Sequence, residues 1–343
     1  MAPPHRTQPS APEQRAARSS IRAANTAEHQ ARLARRLTPR DVWIVHMLAE
    51  HRVFTVDQLA DCTFPSPHAA RRRLRTLYRW SVLDRFQPAT ACGAAPMHYV
   101  LGPSGATVLA AHHGLEPHTV SYRRARTVAI AHSQRLTHTL GINTWFTHLA
   151  TQPGQGQYLQ QWWGEDRCRT YWGDLVRPDG YGRWHVGPEG SDLEFFLEYD
   201  RGTESNPRVA RKLGDYAALA AETGITTPVL IWLPSHARET STRRLLADTW
   251  HALPRPELVP VATATAEPLA ETAPHQPAGP CWLPLAPQAG TSRGSPRHSL
   301  ATLRHAWPHL PPPAPLATVD TQADEHALPA PWPQPPAPAQ ASS

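Results

Sequence analysis

Proline is distributed unevenly along this chain, and its distribution limits how much of the chain can fold. Of the 38 prolines among 343 residues, 21 lie after Leu253. Proline donates no backbone hydrogen bond and interrupts both helices and central strands. The segment 253–343 also shows little apolar periodicity, so burial cannot offset the entropy that is lost on ordering. We therefore predict a Pro-rich disordered tail over 253–343.

The N-terminal segment is expected to be disordered as well. Residues 1–36 are rich in arginine and alanine and contain few large apolar side chains. This composition predicts a disordered basic arm, of which the part near 23–36 can become helical on a partner. The ordered part of the chain then divides into two domains, 37–114 and 122–252.

Charge and cysteine content narrow the class of protein. The net charge is +6, which is typical of proteins that bind nucleic acid or an anionic surface, although a GC-rich genome also enriches arginine. The four cysteines form no CxxC pair, which argues against a structural zinc site and fits a reducing cytoplasm. The sequence has neither the roughly 18 apolar residues of a membrane span nor a signal-peptide core. We expect a cytoplasmic protein with no membrane partner.

Three helix-start signals open the ordered part of the chain. Thr38-Pro39 and Ser66-Pro67 each combine an N-cap side chain with proline in the first turn. Thr55-Val-Asp-Gln58 is a capping box, in which the two end side chains satisfy backbone amides at the start of a helix. Two short strands, 82–86 and 98–101, follow. Three helices and a hairpin are the order of a winged helix-turn-helix, which places its third helix in the major groove of DNA.

The third helix has one apolar face and one cationic face. Its apolar residues recur at helical spacing and are expected to face the core: Ala70, Leu74, Leu77 and Tyr78. We predict that the opposite face contacts DNA through His68, Arg71, Arg72, Arg75 and Arg79, since guanidinium groups bind phosphates and guanine edges. The alternatives are a solvated charged face and a protein-binding surface. The absence of acidic residues between Ser66 and Trp80 favours DNA.

The second ordered segment, 122–252, is expected to fold in the order α-β-β-β-α-β-α. A helical pattern over 132–151 precedes strand patterns at 158–165 and 193–200. A helix, a buried strand and a closing helix complete the segment. Strands that alternate with helices indicate an α/β domain.

Two acidic segments of this domain point to chemistry. The turn Arg177-Pro-Asp-Gly180 presents Asp179, and Glu198 and Asp200 share one face of the next strand. Carboxylates on neighbouring strands are the layout of a metal-dependent nuclease, in which they bind Mg²⁺ and the metal activates water. Asp179, Glu198 and Asp200 are therefore the candidate ligands for Mg²⁺ or Mn²⁺. The candidate catalytic set adds Lys212, which would orient the water or the phosphate.

This pattern resembles the PD-(D/E)xK nuclease signature, which implies a restriction-endonuclease-like α/β domain and a possible Mg²⁺-dependent DNA nuclease. It departs from the signature at Asp200, which stands in place of the lysine, and Lys212 on the following helix can act instead. The alternative is structural. In that case the carboxylates cap turns and pair with nearby arginines, namely Arg177, Arg201, Arg208 and Arg211.

Several segments follow one another in an order that is more specific than any of them alone. They are Leu37-Thr-Pro-Arg-Asp41, Tyr99-Val-Leu-Gly-Pro-Ser-Gly105, His132, Arg177-Pro-Asp179, Glu198-Tyr-Asp-Arg-Gly-Thr-Glu204, Lys212-Leu-Gly-Asp-Tyr216 and Val229-Leu-Ile-Trp-Leu-Pro234. Over about 37–250, the chain is similar to the replication-relaxation proteins of actinobacterial plasmids and integrative elements. The resemblance implies a role in plasmid replication, by relaxing or processing supercoiled DNA.

Three functions are compatible with the sequence. The first is a DNA-binding accessory factor in plasmid replication or mobilisation, with double-stranded DNA and replication or mobilisation proteins as partners. The second is a metal-dependent nicking endonuclease of the PD-(D/E)xK type. The third is a non-catalytic adaptor that binds other proteins through its Pro-rich tail.

Overall fold

The computed structural model describes residues 22–88, 93–116, 120, 129–151, 154, 156–187, 190, 192–267, 276–285, 296–313 and 328–336. Helices and strands are combined in it, which confirms the α+β class predicted from the sequence. Among the helices of these residues, none has both the length and the apolar character that crossing a membrane requires.

The first half of the chain forms five helices and a small sheet within the described residues. The elements are α1 (Ala27–Leu33), α2 (Pro39–His51), β1 (Phe54–Thr55), α3 (Val56–Thr63), α4 (Pro67–Arg79), β2 (Leu83–Phe86), β3 (His98–Leu101) and α5 (Pro103–His112). The sheet is antiparallel in the order β1-β3-β2. All three predicted helix starts are present: Thr38 and Thr55 form capping boxes, and the Ser66 side chain accepts a hydrogen bond from the Ala69 amide.

Helix α4 has the two faces that its sequence predicts. Ala70, Leu74, Leu77 and Tyr78 are buried, whereas His68, Arg71, Arg72, Arg75 and Arg79 are exposed. Arg73 lies between the two faces and forms a salt bridge with Asp41, a fully buried residue of α2. The same side chain lies over the Trp80 ring at 5.2 Å. Arg73 therefore attaches α4 to α2, whereas the other arginines of α4 are exposed to solvent.

The second half of the chain is built on a six-stranded sheet. Its elements are α6 (Leu136–Thr151), β4 (Tyr158–Gly164), α7 (Glu165–Trp172), β5 (Gly180–His185), β6 (Leu193–Tyr199), α8 (Asn206–Thr223), β7 (Val229–Leu233), α9 (His236–His251), β8 (Val261–Thr265), β9 (Leu283–Pro284) and α10 (Leu300–Leu303). Strands β4, β5 and β6 form an antiparallel meander, and β6, β7 and β8 are parallel. The predicted order of elements is present, with α7 inserted after β4 and further strands after α9.

The prediction of a disordered tail over 253–343 is wrong for the parts of it that the structure describes. Strand β8 pairs along its full length with β7, and β9 pairs with β8. Trp282 is fully buried, and four later residues are also buried: Leu300, Leu303, Trp307 and Leu310. The small side chains of β8 give a weak apolar pattern, so the sequence does not reveal that both faces of this strand are covered. Tertiary contacts, including hydrogen bonds from Arg243 to Thr263 and to both residues of β9, stabilise it instead.

The predicted disordered arm over 1–36 is also folded in its described part, residues 22–36. Thr26 caps α1 by accepting a hydrogen bond from the His29 amide. His29 and Leu33 are buried, and His29 Nε2 lies 2.8 Å from the carbonyl oxygen of Trp80. Helix α1 therefore packs on the chain's own fold. His29 and Leu33 are buried there, and His29 contacts Trp80, the residue that follows α4. The remainder of the arm, 1–21, lies outside the described residues.

The two halves of the chain meet through a buried interface. The His51 ring stacks on the Trp162 ring at 3.9 Å, and the carboxylate of Glu50 forms a salt bridge of 2.8 Å with Arg167. Helix α3 packs against α6 at the same boundary. One apolar core extends across both halves. The predicted boundary near residue 114 therefore separates the half with the three-stranded sheet from the half with the six-stranded sheet, but the apolar core is continuous across it.

A segment near the C-terminus reinforces this interface. Residues 328–336 lie across both halves of the chain. The indole N–H of Trp43 in α2 donates to the carbonyl oxygen of Trp332 at 2.8 Å, and the Gln334 amide donates to that of Leu159 in β4 at 2.6 Å. The segment thus links the first half to the edge strand of the large sheet.

The two tryptophans of this region provide a test of the corrected tail. Trp282 is 0% exposed and Trp332 is 50% exposed. Trp282→Ala is expected to lower the free energy of unfolding by about 3–5 kcal/mol, because it leaves a large cavity in the core. Trp332→Ala, as the matched control, should cost less than about 1 kcal/mol. Urea denaturation followed by circular dichroism measures both, and equal stability of the two variants would contradict the packing described.

Candidate nucleic-acid interface and carboxylate cluster

The exposed face of α4 borders a groove that contains further positive charge. The groove has a volume of about 470 Å³ and lies between α4 and the β2–β3 hairpin. Arg71 and Arg75 line it from the helix, and Arg85 lines it from the hairpin. Asp57 is the acidic residue in its lining. Three guanidinium groups against one carboxylate give this groove a net positive charge.

Arg85 is held in place by the residues around it. Its guanidinium group lies over the Tyr78 ring at 4.2 Å from the ring centre. The neighbouring Asp84 is neutralised by Arg22, at 3.1 Å, so it does not compete for the charge of Arg85. The contact with the aromatic ring holds the positive charge of Arg85 at the lining of the groove.

The predicted catalytic residues lie around the end of β6. Asp179 immediately precedes β5, and its amide donates a hydrogen bond of 3.0 Å to the carbonyl oxygen of Leu197. This bond directs the Asp179 side chain towards β6, where Oδ2 accepts from the Tyr199 amide at 2.8 Å. Its other oxygen, Oδ1, lies 2.8 Å from Nε2 of His138 in α6. Both oxygens of Asp179 are therefore engaged by the protein.

Glu198 is the most buried of the predicted carboxylates, with 4% of the residue exposed. Its Oε2 lies 2.6 Å from the ammonium of Lys212, and its Oε1 accepts from the Tyr216 hydroxyl at 2.5 Å. Lys212 and Tyr216 are four residues apart on α8, so both side chains project from one face of the helix. Sequence reasoning placed Glu198 and Lys212 in one candidate catalytic set, and in the structure their side chains form an ion pair.

The charge of Lys212 is maintained by the carboxylates around it. Burial lowers the pKa of this ammonium group, but the charges of Glu198 and Asp179 outweigh burial and raise its pKa above the ordinary value. Glu204 lies 3.5 Å away and acts in the same direction. The surrounding carboxylates therefore favour the charged form of Lys212.

Asp200 does not join the other two carboxylates. Its Oδ1 accepts from the Gly202 amide and its Oδ2 from Nε of Arg238 in α9, both at 2.7 Å. Glu198 and Asp200 face the helices as the period-two rule predicts, yet each meets a different helix. Each of the three expected metal ligands thus has its own side-chain partner: His138 for Asp179, Lys212 for Glu198 and Arg238 for Asp200.

Sequence reasoning missed three residues of this cluster: His138, Tyr216 and Arg238. It also named Arg177, Arg201, Arg208 and Arg211 as the structural partners of the carboxylates. Among the bonds described, Asp179, Glu198 and Asp200 pair instead with the three missed residues and Lys212. Only the spacing of Lys212 and Tyr216 gave a local signal. His138 and Arg238 reach the site from distant helices, which a single sequence does not reveal.

The arrangement does not fit a bound Mg²⁺ or Mn²⁺ ion. Across the described ranges, no three His, Cys, Asp or Glu side chains form a group that could hold a metal. Mg²⁺ requires nearly octahedral oxygen ligands at about 2.0–2.1 Å. Here the oxygens of the three candidate ligands already contact protein donors. A role for either metal stays a prediction.

The chain was compared with known proteins. A family model described as Replication-relaxation matches residues 45–252. The match begins within α2 and ends after α9, so it includes both the arginine face and the carboxylate cluster. No curated protein and no solved structure is significantly similar to the chain.

The hydrogen bond from Tyr216 can be tested by removing one oxygen atom. Tyr216→Phe is expected to lower the free energy of unfolding by about 1–3 kcal/mol, because it leaves a buried carboxylate oxygen without its donor. Tyr199→Phe is the matched control, since no hydrogen bond of the Tyr199 hydroxyl is described, and it should change stability by less than about 0.5 kcal/mol. Urea denaturation of both variants measures the difference. A Tyr216→Phe protein as stable as the control would show that this bond contributes nothing.

Proposed function

Because the chain belongs to the replication-relaxation family, we propose that it is a DNA-binding accessory factor in the replication or mobilisation of a plasmid or integrative element. The observation that carries this proposal is the exposed cationic face of α4 beside the arginine-lined groove. Its partners are double-stranded DNA and, through the family's role, proteins of replication or mobilisation.

The order of elements supports a winged helix-turn-helix as the DNA-binding unit. Helix α2, strand β1, helices α3 and α4 and the β2–β3 hairpin follow one another, and the three strands form one sheet. In this kind of domain the third helix enters the major groove and the hairpin contacts the backbone. Helix α4 and the hairpin are the corresponding elements here. Arg71 and Arg75 would then contact DNA from the helix, and Arg85 from the hairpin.

The contrast between Arg73 and its neighbours supports a binding role for the exposed arginines. Arg73 has a buried acidic partner, Asp41, and stabilises the fold. Helix α4 itself contains no acidic residue that could neutralise Arg71, Arg72 or Arg75. Uncompensated arginines on an exposed helix repel one another, and a polyanion relieves that repulsion.

The DNA surface can be tested with a charge-matched pair of double variants. Arg71→Ala plus Arg75→Ala is expected to weaken binding to duplex DNA and to reduce the slope of log K against log salt concentration by about 1.8, or 0.9 for each lost phosphate contact. Arg244→Ala plus Arg255→Ala removes two exposed arginines of the second half of the chain and should leave the slope unchanged. Fluorescence anisotropy at several salt concentrations measures both.

Unchanged affinity and slope in the Arg71→Ala plus Arg75→Ala protein would refute the proposed surface. Circular dichroism of this variant should match that of the wild type, since neither side chain is buried. Arg73→Ala, by contrast, should lower stability because it leaves the Asp41 carboxylate buried without its cation.

A second candidate function is a nicking nuclease that uses Mg²⁺ or Mn²⁺. The observation that favours it is the meeting of Asp179, Glu198 and Lys212 at one end of the large sheet. A nuclease would convert supercoiled plasmid to open circle with either metal, and EDTA or Glu198→Ala would abolish the conversion. An accessory factor leaves the plasmid supercoiled in every lane. Agarose gel electrophoresis distinguishes the two outcomes.

The adaptor hypothesis relied on a Pro-rich tail that is free to bind other proteins. The described parts of that tail, 276–285, 296–313 and 328–336, instead pack on the chain's own sheet and helices. This packing supports the DNA-binding proposal over the adaptor hypothesis.

A further inference from the structure

The carboxylate cluster is closed by the protein's own donors. Each of the six oxygens of Asp179, Glu198 and Asp200 contacts a donor, and the distances range from 2.5 to 2.8 Å. The donors are the side chains of His138, Tyr216, Lys212 and Arg238 and the amides of Tyr199 and Gly202. A cluster prepared for a divalent ion would leave several oxygens directed at one shared point.

Charge balance makes Lys212 the central cation. Glu198 is 4% exposed, and a buried carboxylate is unfavourable without a compensating charge. Lys212 supplies that charge at 2.6 Å, and it lies 3.5 Å from Glu204. Its charge also interacts with that of Asp179. One ammonium group thus serves three carboxylates, which is the electrostatic role of a bound cation.

The side-chain donors come from three helices. His138 reaches the cluster from α6, Lys212 and Tyr216 from α8, and Arg238 from α9. Every one of these bonds joins a helix to residues at the start of β5 or the end of β6. The cluster therefore fastens three helices to one end of the sheet.

We propose that this cluster is a metal-independent ion-pair centre, in which the Lys212 ammonium permanently fills the cation position between Glu198, Asp179 and Glu204. A divalent ion would have to displace this ammonium and separate Glu198 from the Tyr216 hydroxyl. The function of the cluster is then to hold the helices in place around the sheet. This inference is independent of DNA binding by α4, and it opposes the nuclease candidate.

The proposal can be tested by measuring Mn²⁺ binding to the full chain, with Mn²⁺ alone as the probe. Water-proton relaxation detects bound Mn²⁺ in the wild type, Glu198→Gln, Lys212→Met and the Glu198→Gln plus Lys212→Met protein. The wild type should show no Glu198-dependent site tighter than about 1 mM. Lys212→Met should bind Mn²⁺ about tenfold tighter or more than the wild type, because the carboxylates lose their cation. Adding Glu198→Gln to Lys212→Met should remove the new site.

Two results would overturn the proposal. One is a submillimolar Mn²⁺ site in the wild type that Glu198→Gln abolishes. The other is a folded Lys212→Met protein that gains no Mn²⁺ affinity, which would show that the ammonium does not fill a cation position. If Lys212→Met fails to fold, the comparison of wild type with Glu198→Gln still decides the question. DNA binding is tested separately with the Arg71→Ala plus Arg75→Ala protein. Loss of DNA affinity in that variant does not depend on the cluster, so failure of this proposal can be distinguished from failure of the DNA-binding proposal.

Discussion

The burial of Glu198 at the end of a central strand is the constraint on which the second half of the molecule depends. A charge at 4% exposure has to be matched by partners that are buried with it. Those partners lie on α8. Because Lys212 and Tyr216 both contact the Glu198 carboxylate, these bonds favour one face of α8 towards the sheet. The neighbouring carboxylates repeat the arrangement, with His138 of α6 at Asp179 and Arg238 of α9 at Asp200. The packing of these helices and the pairing of the buried charges at this end of the sheet therefore depend on the same contacts.

The first half of the molecule uses the same side-chain type for two purposes. Arg73 is directed inward to the buried Asp41, where its charge is compensated. Arg71, Arg72 and Arg75 are exposed on the same helix, and Arg71 and Arg75 line a groove that is completed by Arg85 of the hairpin. Desolvation accounts for the difference, because an inward arginine requires an acidic partner and an outward one is hydrated until an anion replaces the water. Helix α4 is therefore both part of the packed core and the carrier of an exposed cationic face.

Much of the first half was predictable from sequence, because its signals are local. The caps at Thr38, Thr55 and Ser66 act within three residues, and the two faces of α4 follow from helical periodicity. The predictions failed where distant residues supply the stabilisation. Strand β8 is covered on both faces by the rest of the fold, and α1 is held by Trp80, which lies far away in sequence. Composition alone made both segments look disordered.

The sequence by itself determined the residue types of the cluster, the spacing that puts Lys212 and Tyr216 on one helix face, and the choice of Glu198 and Lys212 as members of one candidate site. Only the tertiary structure decided that Asp200 belongs to Arg238, that Asp179 meets His138, and that the carboxylate oxygens contact protein donors. The reason is physical. A carboxylate can bind a metal ion, an ammonium or a guanidinium, and the neighbours that decide between them come from helices that the chain brings together only when it folds.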